Sequence, residues 1–300
     1  MLWGFAAYIM WGFFPAFFPL LEPAAPVEIL AHRFIWTLVF VLLLLLALRR
    51  IKLLREITPR EWIRVAVASL LISVNWGLYI YAVNSGHVAD AALGYFINPL
   101  VSVVLGVLLL RESLRPMQKL SVAIAAVAVV ILTIALGQPP IISLGLALSF
   151  GFYGLAKKRM RLEPLQSLAA ETMVLAPIAV IYLLWLGPES TFTTEGGGHT
   201  ALLMVAGVVT ALPLLAFARA AQEMSLTSLG MIQYLTPVMQ MLWAVFVTKE
   251  HIEPMRWVGF SIIWVAVVIF IIDMVIQTRA TRRNASLEKL GTDTPATEEG

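Results

Sequence analysis

Apolar runs of about twenty residues alternate with short polar breaks along nearly the whole chain, and a helix needs roughly that length to cross the hydrocarbon core of a bilayer. The runs fall near 3–21, 27–48, 62–83, 90–110, 117–136, 140–156, 165–186, 200–219, 228–248 and 255–277. They are continuous and lack the two-residue alternation of barrel strands. The pattern therefore predicts an all-α polytopic membrane protein with about ten transmembrane helices. From Arg279 the chain turns polar, and 279–300 is predicted to be a disordered cytoplasmic tail.

One stretch occurs twice. Leu93-Gly94 through Asn98-Pro99, Arg111-Glu112 and Pro116-Met117 returns as Leu229-Gly230, Thr236-Pro237, Lys249-Glu250 and Pro254-Met255. Pro99/Pro237, Glu112/Glu250, Pro116/Pro254 and the upstream pair Pro26/Pro164 share one offset (237 − 99 = 138), whereas Leu93-Gly94 matches at 136, so two residues are inserted before Pro237. Apolar matches are cheap in a membrane alphabet, but prolines and a basic–acidic pair at fixed spacing are not. The chain reads as an internal duplication, with 1–137 holding helices one to five and 138–278 helices six to ten.

Basic residues set the orientation. With the N-terminus inside, the inward loops hold Arg49, Arg50, Lys52, Arg55 and Arg60, then Arg111, Arg115 and Lys119, then Lys157, Lys158, Arg159 and Arg161, then Arg219; the outward loops hold only Lys249 and Arg256. Five helices per copy is an odd number, so the copies sit upside down relative to each other. An inverted repeat with a pseudo-twofold axis in the membrane plane is the architecture of many secondary transporters. Both termini are expected in the cytoplasm.

Composition narrows the rest. The chain is 60% hydrophobic and 13% charged with a mean hydropathy of +0.88, outside the range of soluble domains. There is no cysteine, hence no disulfide and no thiolate metal site, and a net charge of +3 gives no reason to expect nucleic acid. The start lacks the basic n-region of a cleavable signal, so the first run is expected to be a retained span. His32, His87, His199 and His251 have no helical metal-ligand spacing, and Gly196-Gly197-Gly198 lacks the Lys-Ser/Thr of a phosphate loop. The sequon Asn284-Ala285-Ser286 falls in the inner tail. No enzyme chemistry, metal or cofactor is expected.

The chain also resembles a known family, on Ala31-His32-Arg33 with Trp36, Asn75-Trp76-Gly77 with Tyr79, Gly94-Tyr95-Phe96-Ile97-Asn98-Pro99, Phe152-Tyr153-Gly154 before Lys157-Lys158, and Tyr234-Leu235-Thr236-Pro237. These residues are similar to the RarD branch of the EamA group in the drug/metabolite transporter superfamily, over nearly the whole chain to about Val275. The resemblance implies two EamA-type repeats and a bacterial inner-membrane exporter. By its name the branch is linked to chloramphenicol sensitivity, and related branches move amino acids and other metabolites.

Polar groups inside spans are costly in hydrocarbon and usually face protein or a wet cavity. His32, Arg33 and Trp36 lie on the second helix, Arg33 roughly 9 Å from its outer end at 1.5 Å per residue. Its fork of donors suits a carboxylate or another planar anion; snorkelling to headgroups is the alternative. Glu171 occupies the matching position in the second copy (171 − 33 = 138) and is a candidate proton carrier or a structural partner of Lys157 or Lys158. Asn75 and Tyr79 share one face of the third helix, Tyr95, Asn98 and Ser102 one of the fourth, and Gln233, Thr236 and Gln240 one of the ninth. Trp11, Tyr153 and Trp243 are candidate additions. These stripes either line a site for an amphipathic solute or join helices by hydrogen bonds. Pro99 and Pro237 free the carbonyls of Tyr95 and Gln233 and predict matching kinks, as gates or as fixed bends.

The expected activity is secondary-active export of small amphipathic metabolites or drugs, amino-acid-like or chloramphenicol-like, by alternating access. Solute would meet Tyr95, Asn98, Gln233 and Gln240 and leave past Arg33 and His32. A flippase for a lipid-linked head group and a non-transport scaffold are the alternatives. The partners expected are the solute and the lipid bilayer; a homodimer is neither required nor excluded.

Overall fold

The computed structural model describes residues 1–85, 87–137, 140–249 and 254–292. The first copy contains α1 (Leu2–Gly12) with the short α2 (Phe14–Phe17), α3 (Pro26–Ala47), α4 (Pro59–Asn84), α5 (Val88–Leu110) and α6 (Pro116–Leu136). The second contains α7 (Ile141–Arg159), α8 (Pro164–Leu186), the short α9 (Thr191–Thr194), α10 (Gly197–Glu223), α11 (Leu226–Gln233), α12 (Leu235–Phe246) and α13 (Pro254–Thr292). Proline stands first in α3, α4, α6, α8 and α13, where its missing amide proton costs nothing and its φ suits a helix. Four helix starts repeat at the offset read from the sequence: 26 and 164, 59 and 197, 88 and 226, 116 and 254 each differ by 138. Arg111 and Lys249, one offset apart, both adopt left-handed backbone at φ 55°.

Among the described residues nine segments are long and apolar enough to cross a membrane. The tenth helix of the repeat, α7, is kept out of that set by Lys157, Lys158 and Arg159 in its last turn. Helix continues to Thr292, past Arg279, where composition predicts an irregular tail; Ala, Arg, Leu, Glu and Lys in that stretch are good helix formers. Residues 293–300 lie outside the described residues, as do Glu250 and His251.

The copies are antiparallel. Arg50, after the end of α3, pairs with Glu163, before the start of α8, at 2.7 Å. At the opposite end Glu28, near the start of α3, accepts from the Ser190 hydroxyl, beyond α8, at 2.7 Å. In the same way Arg115, at the start of α6, donates to Asp273, near the end of the apolar span of α13 (Trp257–Gln277), at 3.0 Å. Helix packing obeys the same exchange: α3 packs on its counterpart α8 and α6 on α13, while α5 on α7 mirrors α11 and α12 on α1. This is the inverted five-plus-five repeat expected from the sequence.

The basic residues gather at one end and cap helices there. Lys158 Nζ donates to the Met224 carbonyl past α10, and Arg159 to the Leu109 carbonyl at the end of α5, at 3.1 Å. Both answer carbonyls that a helix C-terminus leaves unpaired. Glu112 does the converse, accepting from the backbone amides of Leu226 at 2.7 Å and Thr227 at 2.9 Å at the start of α11. Glu112→Ala is expected to destabilise the fold by about 1–2 kcal/mol, because two amides and the positive helix end lose their acceptor. Thermal unfolding in detergent reads this; an unchanged midpoint would show that water replaces the carboxylate.

The expected matching kinks are not alike. Helix α5 runs unbroken through Pro99, whereas its counterpart is divided at Tyr234 into α11 and α12. The two-residue insertion expected before Pro237 is not borne out: the helix starts at 88 and 226 already stand at the 138 offset. Gly94 faces α7 (Ser143, Leu146) whereas Gly230 faces α5 (Pro99, Ser102), so these two glycines are not equivalent positions.

Candidate functional site

A cavity of about 20 Å³ lies between α3, α4, α7, α8 and α10. Phe34 and Thr172, Thr37 and Leu175, Ile72 and Thr210, Trp76 and Leu214 all line it, and each pair differs by 138. Eight of its walls are therefore equivalent positions of the two copies, which places the cavity on the pseudo-twofold axis. The volume holds about one water molecule.

Arg33 sits at one end, beyond Trp76 and Thr210. Its Nε donates to Thr210 Oγ1 at 2.9 Å, and that hydroxyl donates onward to the Ala206 carbonyl at 2.7 Å. The guanidinium lies over Trp76, 4.2 Å from the ring centroid, and over Phe18 at 5.1 Å. Cation–π contacts of this kind hold arginine without neutralising it. Tyr95 and Tyr79 are its electrostatic neighbours, and their rings are 6.0 Å apart. No carboxylate pairs with Arg33 among the described residues.

The other end is closed by a buried ion pair. Lys157 Nζ donates to Glu171 Oε1 and to the Ser167 hydroxyl. Ser167 donates to Oε1 at 2.7 Å and Tyr153 to Oε2 at 3.1 Å. Lys157 and Glu171 are 1% and 2% exposed, so each needs the other. Glu171 thus has Lys157, one of the two lysines named from the sequence, as its partner, and it lines the cavity together with Tyr153.

The remaining sequence candidates are dispersed. His32 and Trp36 turn away from Arg33 and stack on Phe192 of α9, at 4.8 and 6.1 Å between centroids. Neither ring nitrogen of His32, nor the Trp36 indole nitrogen, has a hydrogen-bond partner. Asn75 donates to the Leu146 carbonyl at 2.9 Å and to Ser149 Oγ at 3.1 Å, joining α4 to α7. Thr236 donates to the Tyr8 carbonyl at 2.8 Å and Gln240 to the Trp11 carbonyl at 3.3 Å, joining α12 to α1. The Trp11 carbonyl, at the end of α1, accepts from a backbone amide of the cap as well. Asn98 and Gln233 are buried, and Asn98 Oδ1 has no donor. Trp243 is half-buried. None of these lines the cavity.

Phe34, Thr37, Trp76, Thr172 and Thr210 were not singled out by the sequence. Threonines in apolar spans read as ordinary interhelical contacts, and Trp76 stood beside Asn75 without a reason to prefer it. A usable signal was present: each of these five has a lining partner at the repeat offset.

Antiparallel copies packed around a shared axial cavity define a helical membrane transporter. A model of the EamA-like transporter family matches residues 1–134 and again 140–272. The chain belongs to that family, in its RarD branch. It is 51% identical over 286 residues to Protein RarD of Streptomyces exfoliatus, covering 94% of this chain and 91% of that one. Protein RarD of Escherichia coli K12 is 41% identical, covering 94% and 97%. A protein of Bacillus subtilis bearing the name Uncharacterized transporter YojE is 43% identical, covering 92% and 94%. One crystal structure superimposes with a TM-score of 0.70 over 89% of this chain and 94% of its own, at 18% identity, a likeness of fold alone.

Proposed function

We propose that the protein is a secondary-active transporter that exports small amphipathic metabolites or drugs across a bacterial inner membrane by alternating access. The observation that carries this reading is the cavity walled by equivalent positions of two inverted copies. Two halves of one design can exchange conformations, so a site on their axis opens to one side and then the other. The basic end, with the helix-capping residues Lys158 and Arg159, faces the cytoplasm under the positive-inside rule. Solute enters there past the Lys157–Glu171 pair and leaves past Arg33. Any coupling to protons is assigned to Glu171, the carboxylate on the cavity wall.

Flux into proteoliposomes tests the reading. Purified protein is expected to exchange at least one member of a panel of aromatic drugs, amino acids and organic anions, with a rate that depends on an imposed pH gradient. A folded preparation that moves none of them would remove the proposal. Cysteines at Arg111 and Lys249 are expected to label from opposite faces of the membrane.

A further inference from the structure

The charges around the cavity point to a narrower class of solute. Three ionisable groups with formal charge bear on it: Arg33 at one end, Lys157 and Glu171 at the other. The last two neutralise each other in a pair that also satisfies Ser167 and Tyr153. Glu28 and His32 belong to a different face of α3: the Glu28 carboxylate accepts from Ser190 and from the Thr191 amide at 2.8 Å, and His32 stacks on Phe192. His199 is turned to the Thr191 hydroxyl at 2.9 Å. Among the described residues one positive charge, on Arg33, is left without a counter-charge.

A charge in a low-dielectric site is stabilised by an opposite charge brought to it. Arg33 is prepared for one. Thr210 fixes Nε, Trp76 and Phe18 cover the guanidinium faces, and its two terminal amino groups make no hydrogen bond within the described protein. That pair of parallel donors matches a carboxylate. Beyond it stand Trp76 and Phe34, stacked with ring centroids 5.4 Å apart, and then Tyr153.

Building on the transport reading, we infer that the transported solute is a net organic monoanion whose carboxylate is received by Arg33 and whose ring or apolar body lies along Trp76. The zwitterion or amine of the same skeleton is disfavoured. An ammonium group would meet no free carboxylate, because Glu171 is already held by Lys157. Thr210, on the cavity wall, positions the guanidinium by accepting from Nε.

Three solutes sharing one ring and chain separate the possibilities: 3-phenylpropanoate, L-phenylalanine and phenethylamine. In proteoliposomes, exchange of 3-phenylpropanoate is expected to exceed that of the other two by about tenfold, the effect of one charge-assisted pair. Arg33→Gln is expected to abolish it, and Arg33→Lys to retain only a small part, since an ammonium cannot supply two parallel bonds. Thr210→Val is expected to raise KM severalfold with little change in turnover. 3-Phenylpropanoate is also expected to raise the melting temperature of the detergent-purified native protein but not that of Arg33→Gln. Equal flux of all three solutes, preference for phenylalanine or phenethylamine, or full anion flux in Arg33→Gln would overturn the inference while leaving transport intact. Absence of flux for these three and for the wider panel would remove both.

Discussion

Lys157→Met is expected to lower the stability of the folded protein by about 3–5 kcal/mol, the usual cost of removing one partner from a buried ion pair. The side chain lost is 1% exposed, and the carboxylate left behind is 2% exposed and keeps only the hydroxyls of Ser167 and Tyr153. The methylenes of lysine are largely replaced by those of methionine, so the loss reports charge rather than volume. Adding Glu171→Met to the same chain is expected to recover most of it, because replacing both charges by apolar groups of similar size is often neutral. Unfolding in detergent measures the cycle. If the double variant is no more stable than the single one, the pair is not a closed electrostatic unit. The same double variant is expected to lose pH-dependent flux, which separates folding from transport.

The second large effect is expected at Gly207. A Cβ there would lie 2.4 Å from the Trp36 carbonyl carbon and 2.6 Å from the Thr37 amide nitrogen. Both are backbone atoms, so no side chain can step aside. The Gly207 carbonyl also accepts the Thr37 hydroxyl at 2.9 Å. Gly207→Ala must therefore push α10 away from α3 beside the cavity, at a cost of about 3 kcal/mol. Reduced abundance in membranes and a broadened gel-filtration peak would report it. Gly77→Ala is the control: its Cβ meets nothing within 4 Å, and alanine favours a helix by about 1 kcal/mol over glycine. Equal behaviour of the two variants would show that α3 and α10 are not locked at this point.

The duplication, the inversion and nearly every helix were legible in the sequence because they rest on hydropathy and on proline spacing, which are local signals. Arg33, Glu171 and Tyr153 were legible because a charged or hydroxylated residue is conspicuous in an apolar span. The assignment of faces was harder. Asn75, Thr236 and Gln240 stand on polar stripes, yet each donates to a neighbouring helix's backbone. A stripe alone does not say whether its partner is a carbonyl or a cavity. The division at Tyr234 was not legible: the change of offset from 136 to 138 suggested an insertion that the helix starts at 88 and 226 do not bear out.

The paired walls of the cavity are chemically unlike. Phe34 has Thr172 as its counterpart in the wall, Thr37 has Leu175, Ile72 has Thr210, and Trp76 has Leu214. A chamber with two identical ends would accept its guest either way round. This one has diverged until its two halves differ in chemistry, so under the proposed transport a guest would be held in one orientation rather than two.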